Sequence, residues 1–77
     1  MKAERLVQMA NDIGSFFASE KDRQKGAAGV ANHIRMFWEP RMRRELLMHL
    51  DQKDGEGLTP LVLDALRKHG HELDPVR

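Results

Sequence analysis

Apolar residues recur along this chain at intervals of three and four, the spacing of a buried helical stripe. They do so in four separate runs. The first, residues 2–18, carries Leu6, Met9, Ala10, Ile13, Phe16 and Phe17, with Asn11, Asp12 and Ser15 on the other side. Its stripe is wide enough to face two neighbours, so part of it is available to a second copy or to a larger partner. Gly14 lies inside this helix at a cost of roughly 0.5–1 kcal/mol relative to alanine, which either close backbone packing or an exposed position would explain. The second run, residues 24–39, places Val30, Ile34 and Phe37 at i, i+4 and i+7, with Ala27 and Ala31 completing the face. Two adjacent helical residues cannot both point at one narrow core, so Trp38 is expected nearer the rim, against helix 3 or a partner, the alternative being that it plugs the bottom of the bundle. Pro40 then bars continuation, because its ring clashes with the preceding turn and restricts the residue before it. As a first helical residue, however, its missing N–H costs nothing. A third helix over 40–50 follows, with Met42, Leu46, Leu47 and Leu50 inward. The expected geometry is a sharp corner, with helices 2 and 3 crossing steeply.

Between the runs lie turn and cap signals. Residues 19–26 are polar and charged, with Ser19 or Asp22 as N-cap of helix 2. Residues 51–57, D-Q-K-D-G-E-G, form the clearest loop. Thr59–Pro60 starts helix 4 as N-cap and first helical residue, and Leu58 can staple onto Leu63. Leu61, Val62, Ala65, Leu66 and His69 line its inner face. Lys68 and His69 suit the negative end of the dipole, and Gly70 suits the position just past the helix end. The fourth helix is therefore expected over 60–69, with 71–77 a flexible tail. With no alternating β pattern, the chain reads as all-α: one domain over 1–77, a small bundle of about four short helices with a sharp Pro40 corner.

Composition narrows the function. Seventy-seven residues allow one modest core, and such a chain buries only about 60–65% of its unfolded surface. There is no cysteine, which removes disulfides, thiol catalysis, iron–sulfur ligation and cysteine zinc sites. A cytoplasmic location is the expectation, since Met1 leads into a charged segment rather than a secretory h-region. No apolar run approaches the roughly 18 residues of a membrane span. Thirteen Lys/Arg against twelve Asp/Glu leave the chain nearly neutral, unlike most dedicated nucleic-acid binders. Neither G-x-x-x-x-G-K-[ST] nor G-x-G-x-x-G is present.

Candidate chemistry is sparse. His33 and His49 have no H-x-x-x-H partner, and His69 and His71, two apart, do not share a helical face. All four read as surface or half-buried histidines rather than metal ligands. Ser15, Ser19 and Thr59 are accounted for as helix surface, linker and cap. Glu39 beside Trp38 could serve as a general acid in an apolar pocket, but it would need a second carboxylate and a cleft. No catalytic, cofactor or metal residues are assigned. The arginines around the corner are more informative. Arg41 can pair with Glu45 at i+4, and a solvated face explains Arg43 and Arg44. Arg35 and Arg41, flanking Trp38, belong with tryptophan to the types enriched in interface hot spots, and arginine pairs bidentately with carboxylate or phosphate. A partner-binding surface of Arg35, Trp38, Glu39, Pro40 and Arg41 is therefore expected. The alternative is a small helix-turn-helix-like nucleic-acid-binding module, although helix 3 offers few base-reading polar residues.

The segments R-L-V-Q-M-A-N-D-I-G-S-F-F (5–17), G-V-A-N-H-I-R-M-F-W-E-P-R-M-R (29–43), L-L-M-H-L (46–50) and G-L-T-P-L-V (57–62) resemble the delta subunit of the NAD-dependent formate dehydrogenase complex. The specific part is His33, Arg35, Phe37, Trp38, Pro40, Arg41 and Met42. Glu39 stands where an aspartate is expected, and the 51–57 loop is less glycine-rich than the family form. The resemblance implies a non-catalytic accessory subunit of a molybdenum- or tungsten-containing enzyme. On that resemblance it would support assembly, cofactor insertion or stability through contacts with the larger formate dehydrogenase subunits. Those subunits would carry molybdopterin guanine dinucleotide, iron–sulfur clusters, FMN and the NAD site, and this chain would bind no cofactor.

Overall fold

In the computed structural model, which describes residues 2–75, four helices follow the four apolar runs: α1 (Ala3–Phe17), α2 (Arg23–Phe37), α3 (Pro40–Lys53) and α4 (Pro60–Leu73). No strand forms among the described residues. The bundle is small, with extents of 31 × 25 × 19 Å. Packing is most extensive between α2 and α4 and next between α1 and α2, while α3 lies against α1 and α4.

Helix starts obey the local chemistry. The Asp22 carboxylate accepts from the backbone N–H of Gln24 at 2.9 Å and of Lys25 at 3.3 Å, satisfying two donors that the first turn leaves open. Glu39 and Thr59 stand at the N-caps of α3 and α4, each followed by proline at the first helical position. Thr59 does not cap through its hydroxyl. Its own backbone N–H donates instead to the Asn11 side-chain oxygen at 3.0 Å, while the Asn11 amide donates to the Gly57 carbonyl at 2.9 Å. Asn11, expected on the solvent side of α1, therefore clamps the α3–α4 loop to α1.

Two helix ends lie further on than the sequence pattern suggests. α3 continues past Leu50 to Lys53, because polarity alone does not end a helix and Gln and Lys are good helix formers. The break comes where φ turns positive, at Asp54 (55°), Gly55 (68°) and Gly57 (90°). The N–H groups of Asp54 and Gly55 both return to the His49 carbonyl, closing the helix in a Schellman-like turn. α4 runs through Gly70 to Leu73, so residues 71–73, expected as tail, form its last turn. Leu73 is buried and extends the Leu66 stripe by two turns, which offsets the cost of a helical glycine. Asp74 is extended (φ −70°, ψ 116°), as a residue before proline should be. The last two residues of the expected tail, Val76 and Arg77, lie outside the described residues.

The core joins Leu6 and Ala10 of α1, Ala27, Val30, Ala31 and Ile34 of α2, Trp38 at the corner, Leu46 of α3, and Leu58, Val62, Ala65, Leu66 and Leu73. No polar side chain is buried with them among the described residues. Gly14 is a close-approach glycine: a Cβ there would sit 2.7 Å from Val62 Cγ2. Gly29 likewise lies under the Phe17 ring, where a Cβ would be 2.5 Å from Cε1. At Gly55 a Cβ would meet Leu50, Leu58 and Leu63 together, placing both members of the expected Leu58–Leu63 staple at one point.

Candidate partner-docking corner

The corner is made by two consecutive extended residues. Trp38 has φ −91°, ψ 142° and Glu39 has φ −66°, ψ 152°. The Glu39 conformation follows from Pro40, which disfavours the helical region for its predecessor and opens α3 with a free N1 position. The Trp38 N–H still closes α2 by donating to the Ile34 carbonyl at 3.0 Å. α2 and α3 do not continue as one rod, and α3 packs on α1 and α4 instead. The packed helix pair expected of a helix-turn-helix is therefore not formed between them.

Of the five residues expected at this surface, Arg35, Glu39, Pro40 and Arg41 are exposed. Trp38 is not: it is only 7% exposed and belongs to the core, whereas Phe37, expected inward, is 69% exposed. Helical spacing explains the exchange. Val30 and Ile34 are four residues apart, so the line they define continues to residue 38, and Ala27, Ala31, Ile34 and Trp38 keep a coiled-coil-like three–four rhythm. Phe37 belongs to the adjacent line, Gly29–His33–Phe37. The sequence contained this signal, and reading Phe37 as an i+7 position obscured it.

That adjacent line is a strip of rings. The Phe17 ring lies over Gly29, the His33 and Phe37 rings are 4.7 Å apart one turn later, and Phe16 meets Phe17 edge to face at 5.1 Å. Beside it, Met36 is 60% exposed. Asn32 holds its two neighbours on α2: its carbonyl oxygen accepts from Arg35 Nη2 at 2.8 Å, and its amide reaches the Met36 sulfur at 3.5 Å.

Along residues 35–44 the charge is one-sided, while further along α3 Arg44 shares an open hollow with Asp51 and Asp74. Arg35, Arg41, Arg43 and Arg44 stand against Glu39, and none of the four arginines makes an ion pair among the described residues. The Arg41–Glu45 pair allowed by sequence spacing does not form. Arg43 Nε is shielded from water with no hydrogen-bond partner.

Elsewhere the polar groups are engaged in the fold or open to solvent. The Arg23 guanidinium meets Asp64 at 2.8 Å, tying the start of α2 to α4 on the surface. His49 Nε2–H donates to the Glu56 carbonyl at 2.7 Å. His69 and His71 lie 3.5 and 3.8 Å from Glu72. Among the described residues no group of three or more potential ligands converges as for a metal ion. Glu39 is exposed rather than enclosed in an apolar pocket. The hollows are open ones, such as a depression of about 450 Å³ between α2 and α4 lined by Asp22, Gln24, Lys25, Ala28, Lys68 and His69. No described helix is long and apolar enough to cross a membrane.

Searches of the curated proteins and of the solved structures find no match to this chain. The family model of the NADH-dependent formate dehydrogenase delta subunit, FdsD, matches residues 5–66 of the 77, spanning α1, the corner and the first half of α4, and the chain belongs to that family.

Proposed function

We propose that this chain is a non-catalytic accessory subunit of a cytoplasmic NADH-dependent formate dehydrogenase complex. It acts by holding larger subunits through protein–protein contacts, and so supports assembly, cofactor insertion or stability of the enzyme. The molybdopterin guanine dinucleotide, iron–sulfur clusters, FMN and NAD site belong to those larger subunits. One observation carries the contact role: a corner fixed by Pro40 presents Met36 and Phe37 to solvent in a stretch with four arginines that make no ion pair among the described residues. Arg35, Glu39, Pro40 and Arg41 form the contact surface, and Trp38 supports it from beneath. Because Pro40 and buried Trp38 fix the turn, the backbone of the corner loses little entropy on binding. Phe16, 77% exposed on α1, adds a second apolar point for a larger subunit. In isolation the chain self-associates weakly through α1, which sedimentation at micromolar concentration would reveal.

The test is co-expression of the formate dehydrogenase subunits with and without this chain. The reading expects loss of formate-dependent NAD reduction, or of molybdenum content, when the chain is omitted, together with its co-purification when present. Purified alone, it neither oxidises formate nor reduces NAD. Full activity and full metal content in its absence, with no co-purification, would refute the assignment.

A further inference from the structure

The charge and shape of the corner identify what docks there. We propose that the Met36–Phe37 end of α2, together with Arg35, Arg41 and Arg44, receives an acidic protein segment that carries an apolar side chain. The proposal rests on the subunit reading above and adds the chemistry of the occupant. Three observations point the same way. Phe37 and Met36 are exposed side by side, and Phe37 continues a strip from Phe17 across Gly29 and His33, about 12 Å along α2. An apolar side chain of the partner has a ring-lined surface to cover. Residues 35–44 carry four arginines and one glutamate, and none of the four arginines makes an ion pair among the described residues. A carboxylate-bearing segment complements that field and pairs with guanidinium groups through two parallel N–H donors. In the first turn of α3, finally, Arg43 Nε is shielded from solvent and bonds no acceptor of the fold, so the partly exposed guanidinium keeps its charge un-neutralised at the edge of this surface. A nucleic-acid backbone would also satisfy the arginines. The overall charge of +1 and the two exposed apolar side chains next to Arg35 in the chain favour protein over nucleic acid.

The experiment uses the full chain co-expressed with the larger formate dehydrogenase subunits. A photoreactive phenylalanine analogue replaces Phe37, and the cross-linked segment is identified by mass spectrometry. In parallel, Arg41→Glu with Arg44→Glu, and separately Phe37→Ala, are compared with Lys21→Glu. Lys21 lies beyond the opposite end of α2, about 22 Å along its axis. The expected result is a cross-link to a net-acidic segment of a larger subunit. Retention should weaken about 30-fold or more in the charge-reversed and Phe37→Ala proteins, with unchanged melting temperatures, and retention of Lys21→Glu should be normal. Binding of the unaltered chain should fall with rising salt. Cross-linking to a neutral or basic segment, to a second copy of this chain, or to nothing while the complex still forms would overturn the docking proposal and leave the subunit reading standing. Retention that vanishes on nuclease treatment would overturn it in favour of nucleic acid. If the unaltered chain does not co-purify at all, the docking proposal falls, and the subunit reading falls with it where activity and metal content are also full in the chain's absence.

Discussion

Phe37 and Trp38 are neighbours in sequence and opposites in environment. Trp38 is the largest side chain of a small core, so Trp38→Ala leaves a cavity that three helices cannot collapse around. Its expected cost is about 3–5 kcal/mol. Phe37→Ala, made on the exposed line, should change stability by no more than about 0.5 kcal/mol. Urea unfolding of the two variants separates them, and equal midpoints would contradict the burial of Trp38. Asn11 is a second residue whose importance far exceeds its polarity. Its oxygen accepts from Thr59 and its amide donates to Gly57, so the orientation of the side chain is set by its partners. Asn11→Ala leaves both backbone groups of the loop without it and should cost about 1–3 kcal/mol. Asn11→Asp keeps the acceptor but loses the donor, and should fall between the two. A melt of both variants checks the order.

At the scale of elements, spacing between helices is set by glycines. Gly14 lets α1 approach α4, and a methyl group there would overlap Val62. Alanine gains roughly 0.5–1 kcal/mol of helix propensity, whereas overpacking costs about 1–3 kcal/mol, so Gly14→Ala should destabilise on balance. Adding Val62→Ala opens room for the methyl group. The two substitutions should therefore be non-additive, with coupling above about 0.5 kcal/mol in a double-mutant cycle. Strict additivity would mean the helices simply move apart. The starts of α3 and α4 were legible in Pro40 and Thr59–Pro60, and that of α2 in Asp22 as one of two cap candidates beside Ser19, because caps and prolines act through their immediate neighbours. The ends of α3 and α4 were not. α3 stops at a positive-φ turn that polar composition does not mark, and α4 passes Gly70 to bury Leu73.

For the molecule as a whole, stability is thinly spread. A domain of this size holds on the order of 4–11 kcal/mol, so one core truncation removes a large share. Leu73→Ala should cost about 2–5 kcal/mol, visible as a loss of cooperative melting by circular dichroism. If residues 71–73 instead behaved as a tail, the melt would not change. The surface pair Arg23–Asp64 is a contrast: Asp64→Asn should cost less than about 1 kcal/mol, because both groups remain largely in water. The same distribution leaves the corner free to serve a partner. Its arginines make no ion pair among the described residues, so replacing them should leave the melt almost unchanged and, on the docking proposal, weaken association.

The succession of four helices, the corner at Pro40, the absence of thiol chemistry and the family resemblance were all determined by sequence alone. Each depends on residue type and short-range spacing, which the chain carries whatever packs against it. Which of two adjacent aromatics turned inward, whether Gly14 was a contact or a bystander, which atoms Asn11 would grip and how far α4 would run were decided only by tertiary structure. Each of these depends on a neighbour dozens of residues away, or on which side of a helix the rest of the bundle occupies. Arg41 and Glu45 make the same point from the other direction. Their i,i+4 spacing permits a pair, yet the two side chains do not meet, because on a solvated surface the Coulomb gain is too small to hold two long side chains in one geometry.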